Sequence, residues 1–257
     1  MTFLDREFDA VLFDLDDTLY DVPAIAKTVR NNITRYLREV LLIPADEVDA
    51  LTLKLYLEHG TTMAGLVAAG YHIDYDHFHD KVSGPRWLVH ATLEYDLLLH
   101  PNGVRDILAQ VTATKHIFTN ADAKHTAECL SRLGIQGCFE TIWCFETVQQ
   151  LLKAPEGAPP QVLCKPNRRA FELVLQQLGV APGRAVFIDD SPRNCASAHE
   201  LGIFTVLVGR EGHVAGADLV IPNIHELPRV LPGLFAPPEP PRVEAAAEVG
   251  VPIRVPA

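Results

Sequence analysis

Ala10-Val-Leu-Phe-Asp-Leu-Asp-Asp-Thr-Leu-Tyr20 is a four-residue apolar run that breaks directly into three aspartates. Unbroken apolarity over Ala10–Phe13 suits a strand buried on both faces of a parallel sheet. In open parallel sheets ligands bind beyond the carboxyl ends of the strands, so Asp14, Asp16 and Asp17 stand where chemistry is expected. Taken alone, Asp14–Thr18 also reads as a helix cap or an Asx turn. A calcium loop is excluded, because counting from Asp14 the sixth position is Leu19 rather than Gly and the twelfth is Ile25 rather than Glu.

Working outward, Ile25, Val29, Ile33, Leu37, Val40 and Leu41 recur at three- and four-residue steps, which predicts an amphipathic helix from Pro23 to about Leu42. Asp21 is its expected N-cap, and Pro23 falls in its first turn. Further helices are predicted over Ala45–His59, Thr61–Ala69 and Tyr75–Val82, broken at Gly60, Gly70 and Gly84. Residues 22–98 thus read as an all-helical insert. After Asn102 the rhythm changes to helix Val104–Val111, strand His116–Thr119, helix Lys124–Leu133 and a strand near Phe139–Cys144. A Pro- and Gly-containing loop over Lys153–Pro160 precedes helix Arg168–Leu178, strand Ala185–Ile188, helix Arg193–Leu201 and strand Phe204–Val208. Short elements follow at Leu219–Ile221 and His225–Leu231.

The predicted class is α/β: a Rossmann-like parallel-sheet core built from residues 1–21 and 99–232, with the helical domain 22–98 inserted. Six of the 19 prolines (Pro237, Pro238, Pro240, Pro241, Pro252, Pro256) crowd the last 21 residues, so 233–257 is expected to be a disordered tail.

The chain has 257 residues, 48% hydrophobic and 21% charged, the mix of an ordinary globular protein. A net charge of -11 opposes nucleic-acid backbones and anionic lipid, so neither is an expected partner. No apolar stretch approaches the ~18 residues of a membrane span, and the acidic start Met-Thr-Phe-Leu-Asp-Arg-Glu is unlike a signal peptide, which leads to an expected cytoplasmic location. Five cysteines without CxxC spacing read as reduced structural thiols.

Three strand ends carry reactive groups: Asp14 and Asp16, then Thr119 and Asn120, then Asp189 and Asp190. Lys165 stands apart in Cys164-Lys165-Pro166. If they converge, the carboxylates repel one another in a partly desolvated cleft unless a cation joins them, and an oxygen-only set points to Mg²⁺. The histidine-rich segment His72–His79 is read as a turn and helix with a solvated polar face rather than as a metal site.

Asp14-Leu-Asp-Asp-Thr18, Thr119-Asn120, Lys165-Pro166 and Asp189-Asp-Ser191, in that order, resemble the four motifs of the haloacid dehalogenase-like hydrolase superfamily across about residues 8–210. The insert resembles that superfamily's C1 cap. Phe13–Tyr20, Gly60–Leu66, Phe118–Ala121 and Phe187–Asn194 further resemble its pyrimidine 5′-nucleotidase-like branch. The resemblance implies Asp14 as the nucleophile that forms an aspartyl-phosphate, and Asp16 as general acid and then base, aided by a pKa raised by neighbouring acids. Thr18 would hold the turn. Thr119 would offer its hydroxyl and a nearby backbone N–H to the phosphoryl oxygens, with Asn120 as a second donor. Lys165 would keep Asp14 ionised and bind phosphate. Asp190, with help from Asp189, would hold Mg²⁺ together with Asp14 and the Asp16 carbonyl; Asp190 is the favoured direct ligand.

Thr61, Thr62, Met63 and Leu66 of the insert are candidate substrate contacts and equally candidate packing residues; Tyr20 is a further contact. Gly60 and Gly65 permit close approach to either a ligand or another helix. The implied activity is Mg²⁺-dependent hydrolysis of a small phosphomonoester, with UMP and CMP as the leading substrates and no expectation for oligomeric state. Flavin mononucleotide, a sugar phosphate or a phosphomutase reaction are alternatives. A catalytically idle binding module, its tail docking through Pro238–Pro241, is a third class. A halide needs no acid such as Asp16 to leave, which argues against dehalogenation, and the insert would bar a polypeptide substrate.

Overall fold

Six short strands pair entirely in parallel: β1 (Ala10–Phe13), β2 (Thr114–Phe118), β3 (Thr141–Trp143), β4 (Ala185–Asp189), β5 (Phe204–Val208) and β6 (Leu219–Ile221), in the order β3-β2-β1-β4-β5-β6. In this computed structural model the described residues are 7–79, 89–90, 92–99, 103–152 and 161–235. The chain adds strands to one side of β1, then crosses back to place β4 on the other. The carboxyl ends of β1 and β4 therefore flank the topological switch point, where an open α/β sheet has its crevice. Phe13 pairs with Ile188, and Asp14 N–H extends the ladder to the Ile188 carbonyl at 2.9 Å.

Both faces of the sheet are covered, which is why its strands read as continuous apolar runs. Val11, Phe13, Ile117 and Val186 enter one buried cluster, Leu12, Phe118, Phe187 and Leu207 the opposite one. The covering helices are α5 (Val104–Gln110), α6 (Ala123–Arg132), α7 (Phe145–Gln149), α8 (Arg168–Leu178), α9 (Pro192–Glu200) and α10 (Leu227–Val230). Between β1 and α5 lie α1 (Pro23–Glu39), α2 (Ala45–His59), α3 (Thr62–Ala68) and α4 (Tyr75–His79). These build a third cluster around Tyr36, Leu37, Val48, Leu55, Leu66 and Phe78.

The insert meets the core at two backbone contacts. Gly60 ends α2 at φ +90°, and a Cβ there would lie 2.4 Å from Pro166 Cδ and 2.5 Å from the Lys165 carbonyl oxygen. Gly65 instead lets α3 approach α2, since its Cβ would sit 2.5 Å from Leu55 Cβ. The two glycines thus serve backbone and helix packing. From the core side, Arg193 Nη1 donates to the Tyr56 and Leu57 carbonyls at 2.7 and 2.8 Å and stacks over the Tyr56 ring. Gly60→Ala combines a strained left-handed φ with overpacking, so a loss of about 2–4 kcal/mol is expected in urea unfolding. A change below about 0.5 kcal/mol, the range of an unconstrained surface site, would contradict the contact.

Several expectations need correction. The N-cap of α1 is Val22, without a side-chain bond, and not Asp21. The helix stops at Glu39, short of Leu42, which takes a left-handed φ of 55°. Thr61 is the cap of α3 and not its first residue, its side chain accepting from Ala64 N–H. α7 and the 3₁₀ turns at Tyr95–Leu99 and Gln136–Cys138 were not foreseen; three to five residues carry too little periodicity. Phe235, in the expected tail, bridges Val111, so the fold continues three residues past 232. Gly84, residues 80–82, the 153–160 loop and residues 236–257 lie outside the described residues. The five cysteines are free, four of them buried, and no described helix is long and apolar enough to cross a membrane.

Candidate active site

After β1 the chain leaves the sheet in a tight turn held by two buried leucines, with Leu19 N–H returning to the Leu15 carbonyl at 3.0 Å. Asp17 takes φ +56°, a conformation that Asp tolerates better than most residues. Thr18 closes the turn through its backbone, to Leu15 O at 3.4 Å; among the described residues its buried hydroxyl has no partner, so that side chain does not hold the turn as expected.

The turn sets Asp14 against Lys165. The lysine, 1% exposed, donates to Asp14 Oδ1 at 2.8 Å and Asp189 Oδ2 at 2.7 Å, and its ammonium lies 5.3 and 5.2 Å from the Phe118 and Phe187 ring centroids. Burial alone would favour a neutral amine, but Asp14 and Asp189 outweigh it and hold the ammonium above the ordinary lysine range. Burial pushes Asp14 well up, Lys165 pulls it down, and Asp189, Asp190 and Asp16 push it up again. Asp190 is raised to about 7 by burial and by Asp189 and Asp17, while Asp17 is raised to about 6, chiefly by burial. One ammonium thus faces the three carboxylates of Asp14, Asp189 and Asp190, a deficit of positive charge.

Oxygens of Asp14, Asp189 and Asp190 lie within 4.8 Å of one another. The three are not equivalent. Asp189 is fully buried, its oxygens taken up by Lys165, Ser191 N–H and Asn194 Nδ2. Asp190 is half-buried and lines the adjoining cavity.

Thr119 is buried at the end of β2. Its hydroxyl accepts from Ala121 N–H and can still donate, but its own N–H is committed to Trp143 O at 2.9 Å. Asn120, expected as a phosphate donor, instead clamps the lysine segment: its Nδ2 donates to Lys165 O and its Oδ1 accepts from Lys165 N–H, both at 2.9 Å. The amide that the sequence offered to substrate anchors the Lys165 backbone.

Asp16 overturns a second expectation. Burial favours its neutral form, but His125, by charge and hydrogen bond, and Tyr20 hold it at about 2 rather than raised. His125 Nε2 donates to Asp16 Oδ1 at 2.7 Å, and the Tyr20 hydroxyl donates to the same oxygen. Asp16, His125 and Cys129 offer a mixed donor set, yet this direct bond leaves no gap for zinc, whose tetrahedral ligands stand about 3.3 Å apart. Sequence reasoning missed His125 and its neighbour His90, stacked on it with centroids 4.2 Å apart and bonded to Asp122. His79 was read as part of a solvated face; it is buried, stacked 6.1 Å from His90.

A cavity of about 760 Å³ opens from Asp16 and Asp190. Its walls include Val29 and Ile33 of α1 and Leu53 and Tyr56 of α2, with Arg30 as a cation. Thr62 faces both this cavity and a smaller one of about 300 Å³ that also reaches Met63 and Asn120. Of the other predicted contacts, Thr61 caps α3 and lines the smaller cavity, Tyr20 bonds Asp16 and lines the larger one, and Leu66 is fully buried in the insert.

A 48-residue stretch, 19% of this chain, is 46% identical to acyl-CoA dehydrogenase family member 10 of Mus musculus, of whose length the chain spans 4%. Glyceraldehyde 3-phosphate phosphatase of Pyrococcus furiosus is 25% identical over 242 residues, covering 88% of this chain and 92% of that one. Among solved structures, the HAD-hydrolase YfnB of Bacillus subtilis, bound to magnesium, is similar in fold, with a TM-score of 0.55 and 17% identity over 88% of this chain and 100% of that one. The family profile of haloacid dehalogenase-like hydrolases matches residues 8–202, a span that contains the turn after β1, the end of β2, Lys165 and the end of β4. The residues gathered at the switch point therefore lie within the matched region, and the chain belongs to the haloacid dehalogenase-like hydrolase family.

Proposed function

We propose that the protein is a Mg²⁺-dependent phosphatase of small phosphomonoesters acting through phosphoryl-Asp14, with nucleoside 5′-monophosphates such as UMP and CMP as its substrates. The observation that carries the reaction is the buried Asp14–Lys165–Asp189 cluster beside Asp190 at the switch point. Its oxygen-only donors and its deficit of positive charge suit a hard divalent cation. Asp14, Asp190 and the Asp16 backbone carbonyl would hold Mg²⁺, with Asp189 anchoring Lys165 behind them. When bound, Mg²⁺ supplies the charge that keeps these carboxylates ionised and offsets a phosphoryl dianion.

The remaining roles belong to the chain's own groups. An Asp14 oxygen bonds to phosphorus as the ester P–O bond breaks, and the leaving oxygen takes a proton that Asp16, ionised at rest, has first drawn from solvent. Water, losing a proton to Asp16, then attacks phosphorus and frees Asp14 and phosphate. Lys165 and the Thr119 hydroxyl offset charge on the phosphoryl oxygens.

Residues 22–98 act in this reading as a cap that shields the site from water and selects the leaving group. The apolar walls and Tyr56 of the larger cavity support a nucleoside rather than a three-carbon leaving group. The similarity to a glyceraldehyde 3-phosphate phosphatase favours a triose phosphate as the second reading. Phosphate release from UMP, CMP, AMP, flavin mononucleotide and glyceraldehyde 3-phosphate, with Mg²⁺ or EDTA, decides between them. Preference for UMP and CMP supports the first, preference for the triose the second, and Mg²⁺-independent release contradicts both.

Metal binding is also expected to change the pH dependence of stability. Asp190, raised to about 7, holds a proton in the folded protein that the unfolded chain releases near 4, so without metal stability falls as pH rises towards 7. His125, raised well above its ordinary value, adds a fall at higher pH. Mg²⁺ binds the ionised cluster, so the rise in Tm that it produces should be larger at pH 8 than at pH 6. Equal gains would contradict this site.

A further inference from the structure

We infer that His125 is a positioning residue that fixes the Asp16 carboxylate for proton exchange with the substrate, a role that rests on the phosphatase reading above. Asp16 stands on a turn with a partly exposed side chain, 39% against 10% for Asp14 and 0% for Asp189. Left free, it would sample several rotamers, few of which point at a leaving oxygen.

Two donors remove that freedom, and both act on the same atom. His125 Nε2 and the Tyr20 hydroxyl each donate to Asp16 Oδ1. Oδ1 is thereby occupied, which leaves Oδ2 as the oxygen that exchanges a proton with the leaving group and later with water. The Nε2–H donates to the carboxylate whether the ring is neutral or charged, so the role does not depend on its protonation state.

His125 is itself held on every side. It is 1% exposed, in the first turn of α6, where its backbone N–H donates to Asp122 Oδ1 at 2.9 Å. Its Nδ1 pairs with the Tyr95 hydroxyl at 2.8 Å, which fixes the ring so that Nε2 faces Asp16. The ring of His90, itself bonded to Asp122, packs flat against it with an interplanar angle of 22°. A side chain with these restraints is a fixed post, and Asp16 is the mobile group tied to it.

The test uses a readout that a purely structural role would not move. A nucleoside leaves as a poor alkoxide that needs a proton, whereas p-nitrophenolate leaves without one. In rapid-quench assays with Mg²⁺, His125→Ala should slow phosphoryl transfer from UMP by about 10²-fold, the low end of what general acid catalysis contributes. With p-nitrophenyl phosphate the first-turnover burst of nitrophenolate should keep the unmodified rate, followed by slower steady turnover because water attack also uses Asp16. His125→Gln, whose amide can donate from a similar position, should restore most of the UMP rate, and Tyr95→Phe should fall between. Equal slowing of both substrates, in variants that melt with the unmodified protein's cooperativity, would overturn the role, as would no slowing of either. Absence of any Asp14-dependent release of nitrophenolate or phosphate by the unmodified protein would instead overturn the phosphatase reading, and this role with it.

Discussion

Asp14→Asn is expected to fold as the unmodified protein does and to release phosphate more slowly by a factor on the order of 10⁴ or more, the scale seen when a covalent nucleophile is removed. The amide matches the carboxylate in size but cannot bond to phosphorus as an anion. Lys165 keeps Asp189 as its counter-charge at 2.7 Å, and one negative charge leaves a crowded cluster, so stability is largely preserved. Phosphate release and a thermal melt on the same sample check this. A variant that melts normally and retains a tenth of the activity would show that some other group attacks phosphorus.

Lys165→Met is expected to cost both activity and stability. Methionine keeps an unbranched stem between Phe118 and Phe187 but leaves Asp14 and Asp189 buried without their cation. Removing one partner from a buried ion pair typically costs about 3–5 kcal/mol. For a chain of this length a loss of that size lowers Tm by about 10 °C. The carboxylates can escape the penalty by binding protons, so the drop should be larger at pH 8 than at pH 5, and added Mg²⁺ should recover part of it. An unchanged Tm at pH 8 in EDTA would contradict the ammonium's place between the two acids.

Much of this arrangement was legible in the sequence, for identifiable reasons. Strands buried on both faces announce themselves as unbroken apolar runs, and Ala10–Phe13, Ala185–Ile188 and Phe204–Val208 were therefore found nearly to the residue. Parallel topology brings the residues after such runs to one crevice, which is why Asp14 and Asp189 meet at Lys165. Lys165 has no strand to announce it, and its role came from the resemblance.

What the sequence hid depends on contacts between distant elements. His125 sits 109 positions from Asp16, and nothing in its local pattern distinguishes it from a surface residue of an amphipathic helix. His79 was misread for a related reason: periodicity tells which side of α4 is polar, but not that His90 and Phe145 cover it. The bonds from Asn120 to the Lys165 backbone were not foreseen, because an amide near a phosphate site and an amide that clamps a loop look alike until the loop is in place. The Asp16 pKa followed the same logic. Nearby acids were visible in the sequence, whereas the buried imidazole that pulls the carboxyl down was not.

The most direct test is to incubate the protein with Mg²⁺ and 5′-³²P-labelled UMP, quench in acid, digest it and locate the label. Label on the peptide that carries Asp14, released by hydroxylamine as an acyl phosphate is and missing from Asp14→Asn, is the expected result. Phosphate release from UMP with no label on that peptide would contradict covalent catalysis by Asp14.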